Sequence, residues 1–199
     1  MEKRILDLFL FSNRLKFNEI EKLVKIRSNK LAYHLKSLVK KNIINKEREY
    51  YSLSDASEYL IPYLSEKKAP LPVVLIMIGN AKKCFLYIRR KRPYAGKLSL
   101  PGGRLILGEN IEDAVRRIMR EKFNVDAKLK KINSISLEQV KKNGKIIHSF
   151  VLFFVSAESK SLLLADIDKN KKNIISSDYK LIKSKSENIK IRTINSYVQ

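Results

Sequence analysis

A single cysteine, Cys84, leaves the chain without an internal disulfide or a cysteine-based zinc site. It lies in an apolar, strand-like stretch and reads as a buried structural thiol. Histidine is almost as scarce: His34 and His148 are the only two, so neither belongs to a histidine cluster that would hold a metal. Long apolar runs are missing as well. Val73 to Ile78 and Phe150 to Phe154 fall far short of the roughly 20 residues a membrane helix needs. The start, Met1-Glu2-Lys3-Arg4, lacks a signal-peptide layout, so the expectation is a cytoplasmic protein with no membrane partner. Acidic residues are outnumbered, 20 against 42 Lys and Arg, giving a formal charge of +22. Such a field favours polyanionic partners: nucleic acid, nucleotides or an acidic membrane surface. Part of the lysine excess travels with abundant Ile and Asn, which an AT-rich coding sequence also produces.

What is present is enough for two small folded domains or one ordinary one: 199 residues, 44% of them apolar. Residues 1–68 carry 15 basic against 9 acidic side chains and the remainder 27 against 11, so neither part alone accounts for the charge.

From Glu2 to Ser65 apolar residues recur at helical spacing: Ile5, Leu6, Phe9 and Leu10, then Phe17, Ile20 and Val24, then Leu31, Leu35, Leu38 and Val39. Ser28 suits the N-cap of the third helix, and Asn42 the left-handed position after it. Two short strand-like pieces, Ile43 to Lys46 and Glu49 to Leu53, precede a fourth helix expected from Ser54 to near Leu64. Helix, helix, helix, hairpin, helix is the order of a winged helix-turn-helix domain. Leu31-Ala32-Tyr33-His34-Leu35-Lys36-Ser37-Leu38, with Asn42-Ile43-Ile44 and Tyr51-Ser52-Leu53-Ser54, resembles the recognition helix and wing of ArsR-like regulators. With Leu31, Leu35, Leu38 and Val39 inward, Asn29, Lys30, Tyr33, His34, Lys36, Ser37 and Lys40 share the other faces. Together with Lys46 and Arg48 in the hairpin they are the candidate contacts to double-stranded DNA, and a homodimer reading two half-sites is expected. The same face would also suit a protein–protein module, and His34 would also serve as a packing residue.

Residues 67–72, punctuated by Pro70 and Pro72, read as a stiff linker between domains at 1–66 and 73–199. Beyond it the pattern turns to strands around the turns Gly79-Asn80 and Asn143-Gly144, with one prominent helix expected from Glu109 to Phe123. The fold class is therefore α+β in two domains.

Leu98-Ser99-Leu100-Pro101-Gly102-Gly103-Arg104, followed by Glu109, Arg117 and Glu121, resembles the Nudix box. That family pattern is Gly, five residues, Glu, seven residues, then Arg-Glu-apolar-x-Glu-Glu-x-Gly-apolar. Gly103, Glu109 and Arg117 match; Ile118 holds the first Glu position, Lys122 the last, and Asn124 that of the Gly. The resemblance implies an α/β/α sandwich with a mixed sheet, a nucleoside diphosphate-type ligand and Mg²⁺. Hard Mg²⁺ prefers carboxylate and carbonyl oxygen, and positions 118, 121 and 122 project together from a helix. Only Glu121 and the Gly103 carbonyl remain as candidate metal ligands, with Glu121 as the catalytic carboxylate if the domain is active. Glu158, Asp166 or Asp168 in later segments are alternative carboxylates.

Phosphate-binding groups are better kept: Arg89, Arg90, Lys97, Gly102, Gly103, Arg104 and Lys122, with Glu109 and Arg117 as structural residues of the box. The expected function is a ligand-responsive, DNA-binding transcriptional regulator whose Nudix-like domain binds a nucleoside diphosphate derivative with little hydrolysis. The alternative is a Mg²⁺-dependent hydrolase of such a compound.

Overall fold

The computed structural model describes residues 1–57, 60, 69–92, 94–160, 162–184, 187 and 189. The chain divides into two compact units, Met1–Lys68 and Ala69–Gln199. The expected linker at 67–72 straddles that division, and the first strand of the second unit already begins at Leu71.

In the first unit, α1 (Glu2–Leu6) tightens into a 3₁₀ turn (Asp7–Leu10), and β1 (Leu15–Lys16), α2 (Phe17–Val24) and α3 (Ser28–Lys40) follow. The hairpin of β2 (Ile44–Glu47) and β3 (Tyr50–Leu53) completes a small antiparallel sheet in the order β1-β3-β2. Its core unites Ile5, Phe9, Ile20, Leu31, Leu35, Leu38 and Ile44, so the helical spacing in the sequence reports a real packing face.

Two details depart from expectation. Ser28 is the first helical residue of α3, not its cap: Arg27 caps it, and the Ser28 hydroxyl donates to Glu21. Val39 is exposed, because Leu38 fills the core at that turn. Of the expected fourth helix, residues 55–57 form a helical turn, and the rest of its span lies largely outside the described residues. Asn42 is left-handed as expected, with φ of 55°. The Ile43 amide then reaches back to the Leu38 carbonyl at 3.0 Å and ties off α3 in a Schellman-type end.

The second unit is built on a mixed sheet in the order β8-β4-β10-β9. Here β4 is Leu71–Ile78, β8 Gly102–Arg104, β9 Lys128–Lys142 and β10 Lys145–Glu158. β4 runs parallel to β10, while β8 and β9 lie antiparallel to their neighbours. Between them come the short strands β5 (Lys83–Cys84), β6 (Tyr87–Ile88) and β7 (Leu98–Ser99), so the run expected over Cys84 to Arg89 is split in two. Asn143 and Gly144, both at positive φ, turn β9 into β10.

Alternation along β4 sorts the core into two layers. Val74, Ile76 and Ile78 pack with Val115, Ile118 and Met119 of α4 (Ile111–Phe123), whereas Leu75 joins Leu100, Leu152, Phe154 and Ile182 on the other face. Ile182 belongs to α5 (Ser176–Lys183), so the sheet is covered on both sides. β11 (Ala165–Asp166) pairs with β5 and leads the chain towards α5. Burial of Cys84 in this second layer pushes its thiol pKa up to about 12, which makes it unreactive.

Candidate functional site

The Gly-rich loop is fixed before any side chain acts. Gly102 and Gly103 pair with Leu75 and Val74 of β4, and the Pro101 carbonyl accepts from the Ile76 amide. A Cβ on Gly102 would stand 2.7 Å from Leu75 Cδ2 and 2.9 Å from the Val74 carbonyl oxygen, too close for any larger residue. A Cβ on Gly103 would meet Ile118 Cγ1 at 2.9 Å. Ile118 therefore does not face the site, as its box position suggested; it is fully buried beneath the loop.

α4 starts two residues later than expected. Asn110 is its cap, accepting from the Asp113 amide, and Glu109 stands just outside the helix. There Glu109 accepts from Arg117 Nε at 2.5 Å and Nη2 at 2.9 Å, and from the Ile106 amide at 3.2 Å. The bidentate Arg117 bond is the main reason the Glu109 carboxyl is held below the usual range. Arg117 also reaches the Arg104 carbonyl at 2.9 Å and Glu121 at 3.4 Å, so one guanidinium ties loop, turn and helix together. At the far end, Asn124 takes the left-handed conformation (φ 52°) and ends α4 without a glycine.

Lys122 reaches back across the loop, and its Nζ donates to the carbonyl of Gly102. The carbonyl that Lys122 takes is that of Gly102, next to the expected Gly103. Desolvation of the ammonium, followed by repulsion from Arg89, Lys91 and Arg117, lowers the Lys122 pKa; Glu121 opposes the shift. Arg90 is exposed, and Lys97 is turned away to the Lys172 carbonyl at 3.0 Å.

A hard divalent cation does not fit this donor set. The Gly102 carbonyl is taken by an ammonium, and Glu121 is the one carboxylate left on that turn, already paired with Arg117. Among the described residues no three His, Cys, Asp or Glu side chains converge as metal ligands. The alternative carboxylates are engaged elsewhere: Glu158 with Lys130, Asp168 with Lys183, and Asp166 with the Lys169 amide.

One buried acid escaped the sequence reading. Asp178, at the start of α5, accepts from the Ser99 hydroxyl at 3.0 Å and the Leu100 amide at 2.8 Å. Burial raises its pKa to about 6, against the lowering effect of those two bonds. It lines a cavity of about 80 Å³ with Arg89, Tyr94 and Glu138. The signal in the sequence is slight: Asp178 is the sole acid between Asp168 and Glu187 in a lysine-rich stretch.

In the first unit, Asn29, Lys30, Tyr33, Lys36 and Lys40 of α3 are exposed, as are Lys46 and Arg48 of the hairpin. Two predicted DNA contacts are less accessible. Ser37 donates to Glu2 at 3.0 Å, and His34 is half-buried, its Nδ1 enclosed and its ring edge-on to Tyr33. No described helix is long and apolar enough to cross a membrane.

Comparison with solved structures returns Nudix folds. A NUDIX hydrolase from Nitrosomonas europaea aligns at 20% identity and a TM-score of 0.50, covering 58% of this chain and 87% of its own. A MutT NUDIX hydrolase from Burkholderia pseudomallei aligns at 18% identity and a TM-score of 0.48, covering 58% and 98%. A NUDIX-family hydrolase from Clostridium perfringens aligns at 20% identity and a TM-score of 0.43, covering 56% and 93%. A search of curated proteins gives no match. The family model for the NUDIX domain matches residues 69–175, more than half of the chain, and the chain therefore belongs to the NUDIX family.

Proposed function

We propose that the chain is a ligand-responsive DNA-binding regulator whose NUDIX domain has a degenerate box and binds a nucleoside diphosphate derivative with little or no hydrolysis. The observation that carries this is the Lys122 ammonium on the Gly102 carbonyl. It supplies, from within the chain, positive charge next to the loop, where diphosphate oxygens would otherwise rely on a metal. Arg89, Arg104 and the loop amides are the remaining diphosphate partners in this reading; beside Glu121 on the helix stands the Lys122 ammonium, and the nearby Glu109 carboxylate is held by Arg117, so neither a cation nor a base gains a second free carboxylate from them.

The first unit supports the DNA-binding part through its composition. α3 offers an amide, a phenol and three ammonium groups on exposed faces, and the β2–β3 turn adds Lys46 and Arg48. We assign this unit as a winged helix-turn-helix domain acting in a homodimer, with α3 in the major groove and the hairpin on the backbone. Ligand changes DNA affinity only if it binds the DNA-competent state with a different affinity from the other state.

The test is linkage: duplex DNA affinity is measured by anisotropy with and without ADP-ribose, NAD and related dinucleotides. A ligand that shifts DNA affinity must have its own affinity shifted by the same factor when DNA is present. A protein that binds members of the panel but shows no such reciprocal effect is not this regulator. A Mg²⁺-dependent hydrolase is the second reading, favoured by the preserved Glu109–Arg117 pair and by family membership.

A further inference from the structure

Beside the small cavity at Asp178 lies a much larger open groove of about 580 Å³ that the diphosphate site does not use. Lys97, Lys171, Lys172 and Lys180 line it, together with Tyr94 and Tyr179, and no carboxylate of the described residues does. Its position is set by the fold. The segment after β11 returns to pair with β7, with the Leu98 amide donating to the Asn173 carbonyl at 2.9 Å, and this brings Lys171 and Lys172 opposite Lys97. Lys97 bonds the Lys172 carbonyl, and Lys171 stands 5.3 Å from the Tyr179 ring centroid, so two of the ammonium groups are oriented rather than loose. Asp168, which accepts from the Tyr179 hydroxyl, is neutralised by Lys183 at 2.9 Å. Ser176, the first residue of α5, opens on the groove and adds the amide-rich end of that helix.

We propose that this lysine- and tyrosine-lined groove is a binding site for single-stranded nucleic acid. Like-charged ammonium groups gathered around one concavity repel one another and are stabilised by a polyanion that spans them. Phosphates spaced along a strand meet that need, and Tyr94, 38% exposed and lining the groove, supplies what a merely anionic ligand would not use: an aromatic side chain for an unpaired base to stack on. A duplex has its base faces covered and gains nothing from the ring. The face of α3 lies in the other unit, and none of Arg89, Gly102, Gly103, Arg104 and Lys122 lines the groove, so the proposal does not rest on the diphosphate reading.

The test uses the full chain and fluorescein-labelled ten-nucleotide RNA and DNA strands, with anisotropy followed over a range of salt. The variant Lys171→Gln/Lys172→Gln/Lys180→Gln is compared with a variant of equal charge loss outside the groove, Lys22→Gln/Lys128→Gln/Lys145→Gln. The groove variant is expected to bind at least tenfold more weakly and to lower the salt slope by about 2, from roughly 0.7 per neutralised phosphate. Tyr94→Leu is expected to weaken strand binding roughly five- to a hundredfold, while leaving inorganic polyphosphate binding nearly unchanged. Equal losses in the two lysine variants would mean that only net charge matters, and overturn the proposal. So would equal losses of strand and polyphosphate on Tyr94→Leu, or a groove variant that binds like the parent. Circular dichroism of each variant separates weakened binding from unfolding.

Discussion

Lys122 Nζ donates a hydrogen bond to the carbonyl oxygen of Gly102, joining the last turn of α4 to the start of the Gly-rich strand β8. Replacing that ammonium by an apolar side chain of similar length removes the charge and leaves the carbonyl unpaired. Lys122→Met is expected to lower affinity for ADP-ribose roughly ten- to a hundredfold, the range for hydrogen bonds to charged groups, as read by calorimetry. Unchanged affinity would remove Lys122 from the binding site.

Glu109 and Arg117 have a structural task, since their side chains are only 9% and 24% exposed and hold loop to helix. Glu109→Gln is expected to cost about 2 kcal/mol in urea unfolding at pH 7, because Arg117 keeps its charge but loses its bidentate partner. The depressed Glu109 pKa means that this contribution is present above the unfolded carboxyl pKa and lost as pH falls through the folded value. The difference between parent and variant therefore shrinks in acid.

Asp178 shows the opposite dependence. Its folded pKa of about 6 lies above the ordinary aspartate value of 3.8, so the native state holds a proton that the unfolded chain has released. Between those values its contribution to stability falls as pH rises, by roughly 3 kcal/mol in all at 1.36 kcal/mol per pKa unit. The stability of the parent relative to Asp178→Asn is expected to decline between pH 4 and pH 7 by that order. A pH-independent difference would show that Asp178 is ionised throughout.

The two glycines of the loop differ in what surrounds them. Gly102→Ala drives a methyl group against the Val74 backbone carbonyl, whereas Gly103→Ala meets the end of the Ile118 side chain, which has some freedom to turn. Gly102→Ala is expected to be the more damaging in thermal unfolding, by about 1–3 kcal/mol relative to the parent.

On α3, Lys30→Gln/Lys36→Gln is expected to weaken duplex DNA binding and to lower its salt slope by about 0.9 for each phosphate no longer neutralised. Tyr33→Ala is expected to weaken binding with less change in slope. Ser37→Ala is expected to leave it unaltered, because that hydroxyl is engaged with Glu2.

Much of the fold is legible in local pattern. Alternating Val74, Leu75 and Ile76 announce a strand buried on both faces, and Asn42 and Asn143-Gly144 announce left-handed turns, because these signals depend on the backbone alone. The box spacing likewise locates Glu109, Arg117 and the loop. Pairings between distant segments are not legible. Lys97 reads as a phosphate-binding cation, yet it bonds the carbonyl of Lys172, far along the chain, and Asp178 reads as one polar residue in a lysine-rich tail. Ile118 is misplaced by its spacing for a related reason: α4 is wedged so tightly under Gly103 that the side chain at that position joins the core.

The proposed function is binding without turnover, with the Lys122 ammonium acting where a metal would. Calorimetric titration of the full chain with ADP-ribose, in Mg²⁺ and again in EDTA, with phosphorus NMR of the same samples, tests it most directly. Equal affinity in both conditions and an intact diphosphate are expected. Cleavage that requires Mg²⁺ and is abolished by Glu121→Gln would contradict the proposed function.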